Sequence, residues 1–289
     1  NLSLEYDSEG NKIKETDANG NVYNYTYDSS GNMLTIKDPL NQVSTYTYSA
    51  NYNQVTGFTD PKGNIYILNY DANGNLTQIT EPGNNIYTAT YNTNGDIISS
   101  TDPRGNVFTY SYDAYGNAIS VSGPNGYNAT LANDARGNLL SFTDAGNNTH
   151  TVEYDILNRL KKIIDPVNNN IRLNYDAEGN AVSVINKNNE TSLLGYDASN
   201  RIVQVTDVMG KKTYATYDGM NNLTVITNAL GHSMKLSYDT RNRLTGITDP
   251  QGNNSSLNYD ANGNITSINL PNGETINYVY DQLDRVTAI

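Results

Sequence analysis

The chain has 289 residues and a formal net charge of −12 at pH 7, because 30 Asp and Glu outnumber 18 Lys and Arg. This balance argues against binding to a nucleic-acid backbone, which requires clustered cations. The chain has no cysteine, which excludes a disulfide framework and thiolate metal sites. No apolar run approaches the roughly 18–20 residues that a membrane-spanning helix needs, so we expect no membrane insertion.

A Tyr-Asp pair or a close variant recurs along the whole chain, and the first two tyrosines, Tyr6 and Tyr27, are 21 residues apart. The anchor tyrosines are Tyr6, Tyr27, Tyr48, Tyr70, Tyr91, Tyr112, Tyr154, Tyr175, Tyr196, Tyr217, Tyr238, Tyr259 and Tyr280. Asn133 occupies the one slot that lacks tyrosine. A period of this length indicates a repeat array. We expect residues 1–289 to form a single array of about 14 repeats, a fragment of a longer chain, because both ends fall inside a repeat.

Each anchor tyrosine precedes a predicted turn, such as Asp71-Ala72-Asn73-Gly74. Asp at the first position accepts backbone hydrogen bonds, and Gly at the fourth tolerates a positive φ. In every repeat the fourth position is Gly, Asn or Asp, the residue types that adopt the left-handed region most readily. The pattern predicts a type I turn that ends in a bulge, and the bulge accounts for the odd spacing of apolar residues in the strand that follows.

A second turn lies about ten residues after the first and often begins with Asp-Pro, as in Asp60-Pro61-Lys62-Gly63. Two turns and two short strands per repeat, with Tyr as the last inward residue of one strand, predict an all-β chain of tandem hairpins. About 28 strands would form one long antiparallel meander. Because twisted open sheets rarely exceed about ten strands without curling, we expect a superhelical ribbon or a partial hollow shell.

The unit Tyr-Asp-x-x-Gly-Asn-x-Leu-x-x-Ile-x-Asp-Pro-x-Gly-Asn closely resembles the RHS/YD repeat over the whole chain. This repeat occurs in bacterial Rhs and wall-associated polymorphic toxins, in Tc toxin B and C components, and in animal teneurins. The resemblance implies a spiralled β-sheet shell that encloses a C-terminal toxin or another polypeptide. Some family members are cell-surface proteins proposed to bind carbohydrate. The family's autoproteolytic core segment has no candidate here, since each Asp-Pro belongs to a turn.

Two kinds of chemical site are disfavoured by the sequence. Asp71-Ala72-Asn73-Gly74-Asn75 resembles the opening of a calcium loop, but no copy supplies a Glu at position 12 of that loop. The sequence contains no nucleophile elbow, zinc-binding motif or phosphate-binding loop that would indicate catalysis. The two histidines, His150 and His232, stand in unlike surroundings, and we interpret His150 as a wall residue. We therefore expect no catalytic residue, no metal and no cofactor.

Alternate repeats after residue 154 carry an arginine directly after the fourth turn position. These are Arg159, Arg201, Arg243 and Arg285, and the intervening repeats have Asn180, Asn222 and Asn264 there. One interpretation is that the array grew by duplication of repeat pairs and that each arginine bridges to the Asp of a neighbouring turn. The other is a row of arginines that binds an anionic partner. The first is favoured.

Several aromatic residues lie on the anchor face but are not needed as anchors: Tyr23, Tyr25, Tyr66, Phe108 and Tyr110. Cross-strand stacking explains the anchor row itself. The additional rings leave sugar binding open as an alternative function. The preferred interpretation is a non-catalytic structural scaffold of a large secreted or cell-surface bacterial protein, whose partner is an enclosed or C-terminally linked polypeptide.

Overall fold

The computed structural model describes residues 2–289, which form 29 β-strands and a 3₁₀ turn at Pro124–Gly126. The strands of the first half are β1 (Ser3–Tyr6), β2 (Lys12–Thr16), β3 (Val22–Tyr27), β4 (Met33–Lys37), β5 (Val43–Tyr48), β6 (Val55–Thr59), β7 (Ile65–Tyr70), β8 (Leu76–Glu81), β9 (Asn85–Tyr91), β10 (Ile97–Thr101), β11 (Val107–Tyr112), β12 (Ala118–Ser122), β13 (Asn128–Asn133) and β14 (Leu139–Thr143). The others are β15 (Thr149–Tyr154), β16 (Leu160–Ile164), β17 (Asn170–Tyr175), β18 (Ala181–Ile185), β19 (Thr191–Tyr196), β20 (Ile202–Thr206), β21 (Lys212–Tyr217), β22 (Leu223–Thr227), β23 (Ser233–Tyr238), β24 (Leu244–Thr248), β25 (Asn254–Tyr259), β26 (Ile265–Asn269), β27 (Thr275–Asn277), β28 (Val279–Tyr280) and β29 (Val286–Ala288).

Consecutive strands pair antiparallel along most of the chain. This holds from β1 to β13 and from β14 to β27. Strands β1 to β27 belong to one sheet of 27 strands, and β28 pairs with β29 separately. The predicted all-β meander of tandem hairpins is confirmed.

The chain divides into two units. Unit 1 holds the residues up to Thr130 together with Asp260–Asn264 and Val279–Ile289, and unit 2 holds Leu131–Tyr259 and Ile265–Tyr278. Within the described part of the chain, no helix is long and apolar enough to cross a lipid bilayer.

The turn after each anchor residue has the predicted backbone. In the turn after Tyr70, the Gly74 amide donates to the Asp71 carbonyl at 3.1 Å, and Gly74 has φ of +85°. Where Asn or Asp replaces Gly, φ is also positive, as at Asn158 (66°) and Asp284 (58°). The Asp-Pro turns repeat this geometry, with φ of 83° at Gly63. The residue choice at the fourth position therefore follows from backbone conformation, as predicted.

A β-bulge follows the turn after each anchor tyrosine and explains the spacing of the apolar residues. Between β7 and β8, Leu68 pairs with Ile79 and Tyr70 pairs with Leu76, so Thr77 is the extra residue. Leu68 and Tyr70 lie on one face because they are two positions apart in a strand. Leu76 and Ile79 therefore lie on that face too, although three positions separate them. The predicted bulge is confirmed.

Few side chains are fully buried. Within residues 2–289, Ala129 is the only apolar residue in the buried class, at 3 % exposure. Strand β7 shows the usual pattern, since Tyr66, Leu68 and Tyr70 are half-buried while Ile65 and Ile67 are 58 % and 46 % exposed. Burial on the anchor face thus comes from lateral packing between neighbouring side chains.

Candidate functional site

The turn aspartates use both carboxylate oxygens to hold the backbone. Oδ1 of Asp71 accepts hydrogen bonds from the backbone amides of Asn73 and Asn75, both at 2.9 Å, and Oδ2 accepts one from the Asn75 side chain at 2.9 Å. The Asn75 side-chain hydrogen bond is the largest of the effects that lower the pKa of Asp71. The Asn that follows Gly in the repeat thus has a defined role, which the sequence analysis did not assign.

The recurring arginines occupy this same Asn position. Arg159 donates from Nε to Oδ2 of Asp155 at 2.7 Å, and its side chain is 27 % exposed. Arg201 and Arg243 pair in the same way with Asp197 and Asp239. The ion pair therefore lies within one turn, whereas the predicted bridge to the Asp of a neighbouring turn is made through the backbone oxygen of that Asp. The reason is that the side chain after the left-handed residue projects back over the first residue of its own turn.

Arg159 and Arg201 also reach the next repeat by other contacts. Arg159 donates from Nη1 to the backbone oxygen of Asp176 at 3.3 Å, and its guanidinium lies 4.4 Å from the ring centre of Tyr175. Arg201 makes the equivalent contacts with Asp218 and Tyr217. These contacts engage the guanidinium inside the array, which disfavours a row of arginines available to an anionic partner.

The anchor tyrosines have a second function besides ring packing. The Tyr91 hydroxyl donates to the backbone oxygen of Leu76, 15 residues earlier, at 2.6 Å. Leu76 lies beyond the last paired residues of β8 and β9, Gln78 and Thr88, at that end of the ladder. The same bond is made by Tyr27, Tyr48, Tyr70, Tyr112, Tyr154, Tyr175, Tyr196, Tyr217 and Tyr259. The hydroxyl therefore supplies a donor to a backbone carbonyl of β8 at a position where β8 no longer pairs with β9.

Replacing Tyr91 by phenylalanine is expected to cost about 1 kcal/mol of local stability, because the Leu76 carbonyl loses its donor. Hydrogen exchange of the β8 and β9 amides, followed by mass spectrometry, measures this as faster local opening. Tyr115→Phe is the control, since Tyr115 lies in a turn and is 78 % exposed. Equal effects of the two substitutions would contradict the assigned role.

The proposed ligand-facing aromatics are half-buried, and four of them contact protein groups. Tyr66 packs on Phe58 with ring centres 5.6 Å apart, and Phe108 packs on Tyr127 at 6.5 Å. The Tyr110 hydroxyl lies 3.1 Å from Ser100 Oγ.

Tyr25 and Tyr23 have charged neighbours. Lys12 Nζ lies 4.4 Å from the centre of the Tyr25 ring, and the Tyr25 hydroxyl donates to Glu15. Burial is the main cause that raises the pKa of Tyr23, and nearby Asp17 adds to it.

An open apolar groove of about 390 Å³ lies on unit 1. Its lining includes Leu76, Ile79, Tyr87, Ile97 and Phe108. His150 is half-buried on β15, opposite Phe142, and His232 is exposed. Within residues 2–289, no three Asp, Glu or His side chains come together in a way that could hold a metal ion.

Comparison with solved structures shows the same fold. The chain matches the crystal structure of TcdB2-TccC3 with a TM-score of 0.81, 16% identity, and coverage of 99% of this chain and 18% of that one. It matches the Photorhabdus luminescens Tc holotoxin pore with a TM-score of 0.63, 17% identity, and coverage of 99% and 20%. It matches TcdB2-TccC3-Cdc42 with a TM-score of 0.55, 16% identity, and coverage of 98% and 21%. The chain therefore spans about a fifth of the length of these structures.

No curated protein sequence matches the chain. The family model for the teneurin YD-shell matches residues 1–139 and 145–286, nearly the whole sequence. These two segments include every anchor tyrosine. On this match, and on the repeated turn and tyrosine geometry, the chain belongs to the teneurin YD-shell family.

Proposed function

We propose that this chain is a non-catalytic scaffold of a large secreted or cell-surface bacterial protein. Its hairpin array forms part of a wall that encapsulates or displays a toxin or effector segment of the same polypeptide. The wall acts mechanically, because it keeps that segment out of reach of proteases in the surrounding solution. The array supplies the wall and the linked polypeptide is its partner.

The observation that supports this proposal is that the side chains capable of chemistry are engaged in hydrogen bonds to the backbone. The repeated carboxylates bind turn amides, as Asp71 does, and the repeated tyrosine hydroxyls bind backbone carbonyls, as Tyr91 does. Groups held in this way support the backbone and are not free to act on a substrate. Membership of the YD-shell family supports the same conclusion.

Polypeptide is the class of partner that the remaining surface favours. The groove lined by Leu76, Ile79, Tyr87 and Phe108 is apolar and open, which suits side chains of an adjoining segment. The solved structures with the same fold are named as assemblies that contain TccC3, and one also contains Cdc42. Those names describe the other proteins, and by analogy with them we propose a polypeptide as the partner of this chain.

Carbohydrate binding is the weaker candidate. A sugar needs an exposed aromatic face, whereas Tyr66 and Phe108 pack on protein rings and Tyr25 lies under Lys12. A glycan screen still decides the matter. Saturable binding that is lost in Tyr25→Ala or Tyr110→Ala, with circular dichroism unchanged, would support it against the scaffold.

The test of the scaffold uses the complete natural polypeptide that carries this array. Limited proteolysis followed by mass spectrometry should leave a segment outside the array intact together with the repeats. The same segment expressed alone is the control, and it should be degraded rapidly. Equal degradation of the segment in the two samples would contradict a sheltering wall.

A further inference from the structure

Two identical turns of unit 1 lie against each other although they are far apart in sequence. The residues 17–21 and 260–264 both read Asp-Ala-Asn-Gly-Asn. The Asn19 side chain donates to Oδ2 of Asp260 at 3.0 Å, and the Asn262 side chain donates to Oδ2 of Asp17 at 2.8 Å, across 241 and 245 residues. The Asn19 backbone amide also donates to Oδ1 of Asn262 at 3.0 Å. The contact is reciprocal, because each turn gives the other the same Asn-to-Asp hydrogen bond.

The atoms that make this contact are ones the turn itself leaves available. Within a turn, Asp17 Oδ2 accepts only the Asn21 side chain, at 2.9 Å, and so retains capacity for a second donor. The side chain of the third residue takes no part in holding its own turn. In the remaining copy of the pentapeptide, residues 71–75, Asn73 makes only the backbone hydrogen bond to Asp71.

The turn at residues 260–264 also contacts the next turn along the chain. The Asn264 side chain donates to Oδ1 of Asp284 at 2.6 Å, and the Asn262 side chain lies 3.1 Å from Oδ2 of the same residue. Attraction between Arg285 and Asp38 contributes to the raised pKa of Arg285, after its stronger contact with Asp281. Asp38 begins a turn 243 residues before Asp281, the same sequence separation as that between Asp17 and Asp260.

We propose that the Asp-Ala-Asn-Gly-Asn turn is a self-recognition element, in which one copy binds another through reciprocal Asn-to-Asp hydrogen bonds. In this chain the element joins residues 17–21 to residues 260–264 and so fastens two distant rows of turns within unit 1. Its partner is the same turn type elsewhere in the array. The inference is independent of whether the array shelters a polypeptide.

The first test is cross-linking, which is clean because the chain has no cysteine. Asn19→Cys combined with Asn262→Cys should give an intramolecular disulfide on mild oxidation of the dilute protein, identified by mass spectrometry of the linked peptides. Asn73→Cys combined with Asn262→Cys is the matched control and should remain unlinked. Failure of the first pair to link, linking of both pairs alike, or linking only between molecules would overturn the proposal.

The second test measures hydrogen exchange in alanine variants and does not require the introduction of cysteine. Asn19→Ala should speed hydrogen exchange in residues 260–264, and Asn262→Ala should speed it in residues 17–21, by about 2- to 10-fold for each hydrogen bond lost. The two substitutions remove different hydrogen bonds of one contact, so the double variant should speed exchange in both segments at least as much as either single variant does. Asn73→Ala should leave both segments unchanged. Exchange in residues 260–264 that does not respond to Asn19→Ala would contradict the contact.

Discussion

Replacing Gly74 by valine is expected to lower the local stability of the hairpin of β7 and β8 by about 2–3 kcal/mol, because a β-branched residue is strained at positive φ. Gly74 has φ of +85°, and a Cβ added there would meet Gln54 Nε2 at 3.1 Å. That nitrogen donates to the Gly74 carbonyl at 2.8 Å, so the new side chain would disturb this bond as well. Hydrogen exchange in β7 and β8 should become about 30-fold faster or more.

Gly74→Asn is the control for this experiment. Asn occupies the same slot at positions 158 and 200, with φ of 66° and 60°, so the backbone accepts it there. We expect a cost below about 1 kcal/mol, since Asn adopts the left-handed region more readily than other non-glycine residues. If valine and asparagine had equal effects, the turn requirement would be refuted and the repeated Gly would need another explanation.

Acid is expected to loosen the turns of the array that begin with Asp. Hydrogen bonds from a side-chain Asn and from turn amides hold the pKa of Asp71, Asp113 and Asp249 below the ordinary value of 3.8. A carboxyl whose pKa is lower in the folded chain contributes stability that is fully present above the unfolded pKa. That stability is lost as the pH falls through the folded pKa. Stability should therefore decrease below about pH 4.

A decrease in charge repulsion at low pH would have the opposite effect and would raise the stability of the array. The chain carries a net charge of −12 at neutral pH, and protonation of carboxylates removes part of the mutual repulsion. Exposed charges are screened within about 10 Å at 0.1 M salt, so repulsion contributes little in salt while the hydrogen bonds in the turns persist. We expect acid to destabilise the array at moderate salt. A thermal stability that rises as the pH falls from about 5 to about 3 would contradict this account.

Two neighbouring turns of unit 2 provide an internal control for the acid experiment. The turn at Asp249 holds the amides of Gln251 and Asn253 with a carboxylate. The turn at Asn228 holds the amides of Leu230 and His232 with an amide oxygen, which does not titrate. After correction for intrinsic rates, acid should reduce protection at the first turn more than at the second.

The sequence predicted the backbone of the repeat because its causes are local. A positive φ restricts the fourth turn position to a few residue types, and Asp284 with φ of 58° fits as well as the glycines do. The bulge was predictable because Leu76 and Ile79 share a face only if one residue is extra. The periodicity then fixed the order of the strands.

Three side-chain contacts were not predicted, and the reason differs from one to the next. To predict the hydrogen bond of the tyrosine hydroxyl, one would have to know that Leu76 lies where β8 and β9 separate. The anchor position is never Phe, however, and this preference for Tyr was a usable signal in the sequence. To predict that Arg159 forms an ion pair within its own turn, one would have to know the direction in which its side chain projects. The contact of residues 17–21 with 260–264 could not be chosen from sequence, because residues 71–75 carry the same five letters.

The most direct test of the scaffold is to open one hairpin of the array in the complete polypeptide and measure the protease resistance of the linked segment. The account predicts that the segment is resistant in the wild type and in Gly74→Asn, and that cleavage becomes faster in Gly74→Val, where the hairpin of β7 and β8 is loosened. A segment that is cleaved equally fast in all three proteins would contradict the scaffold function.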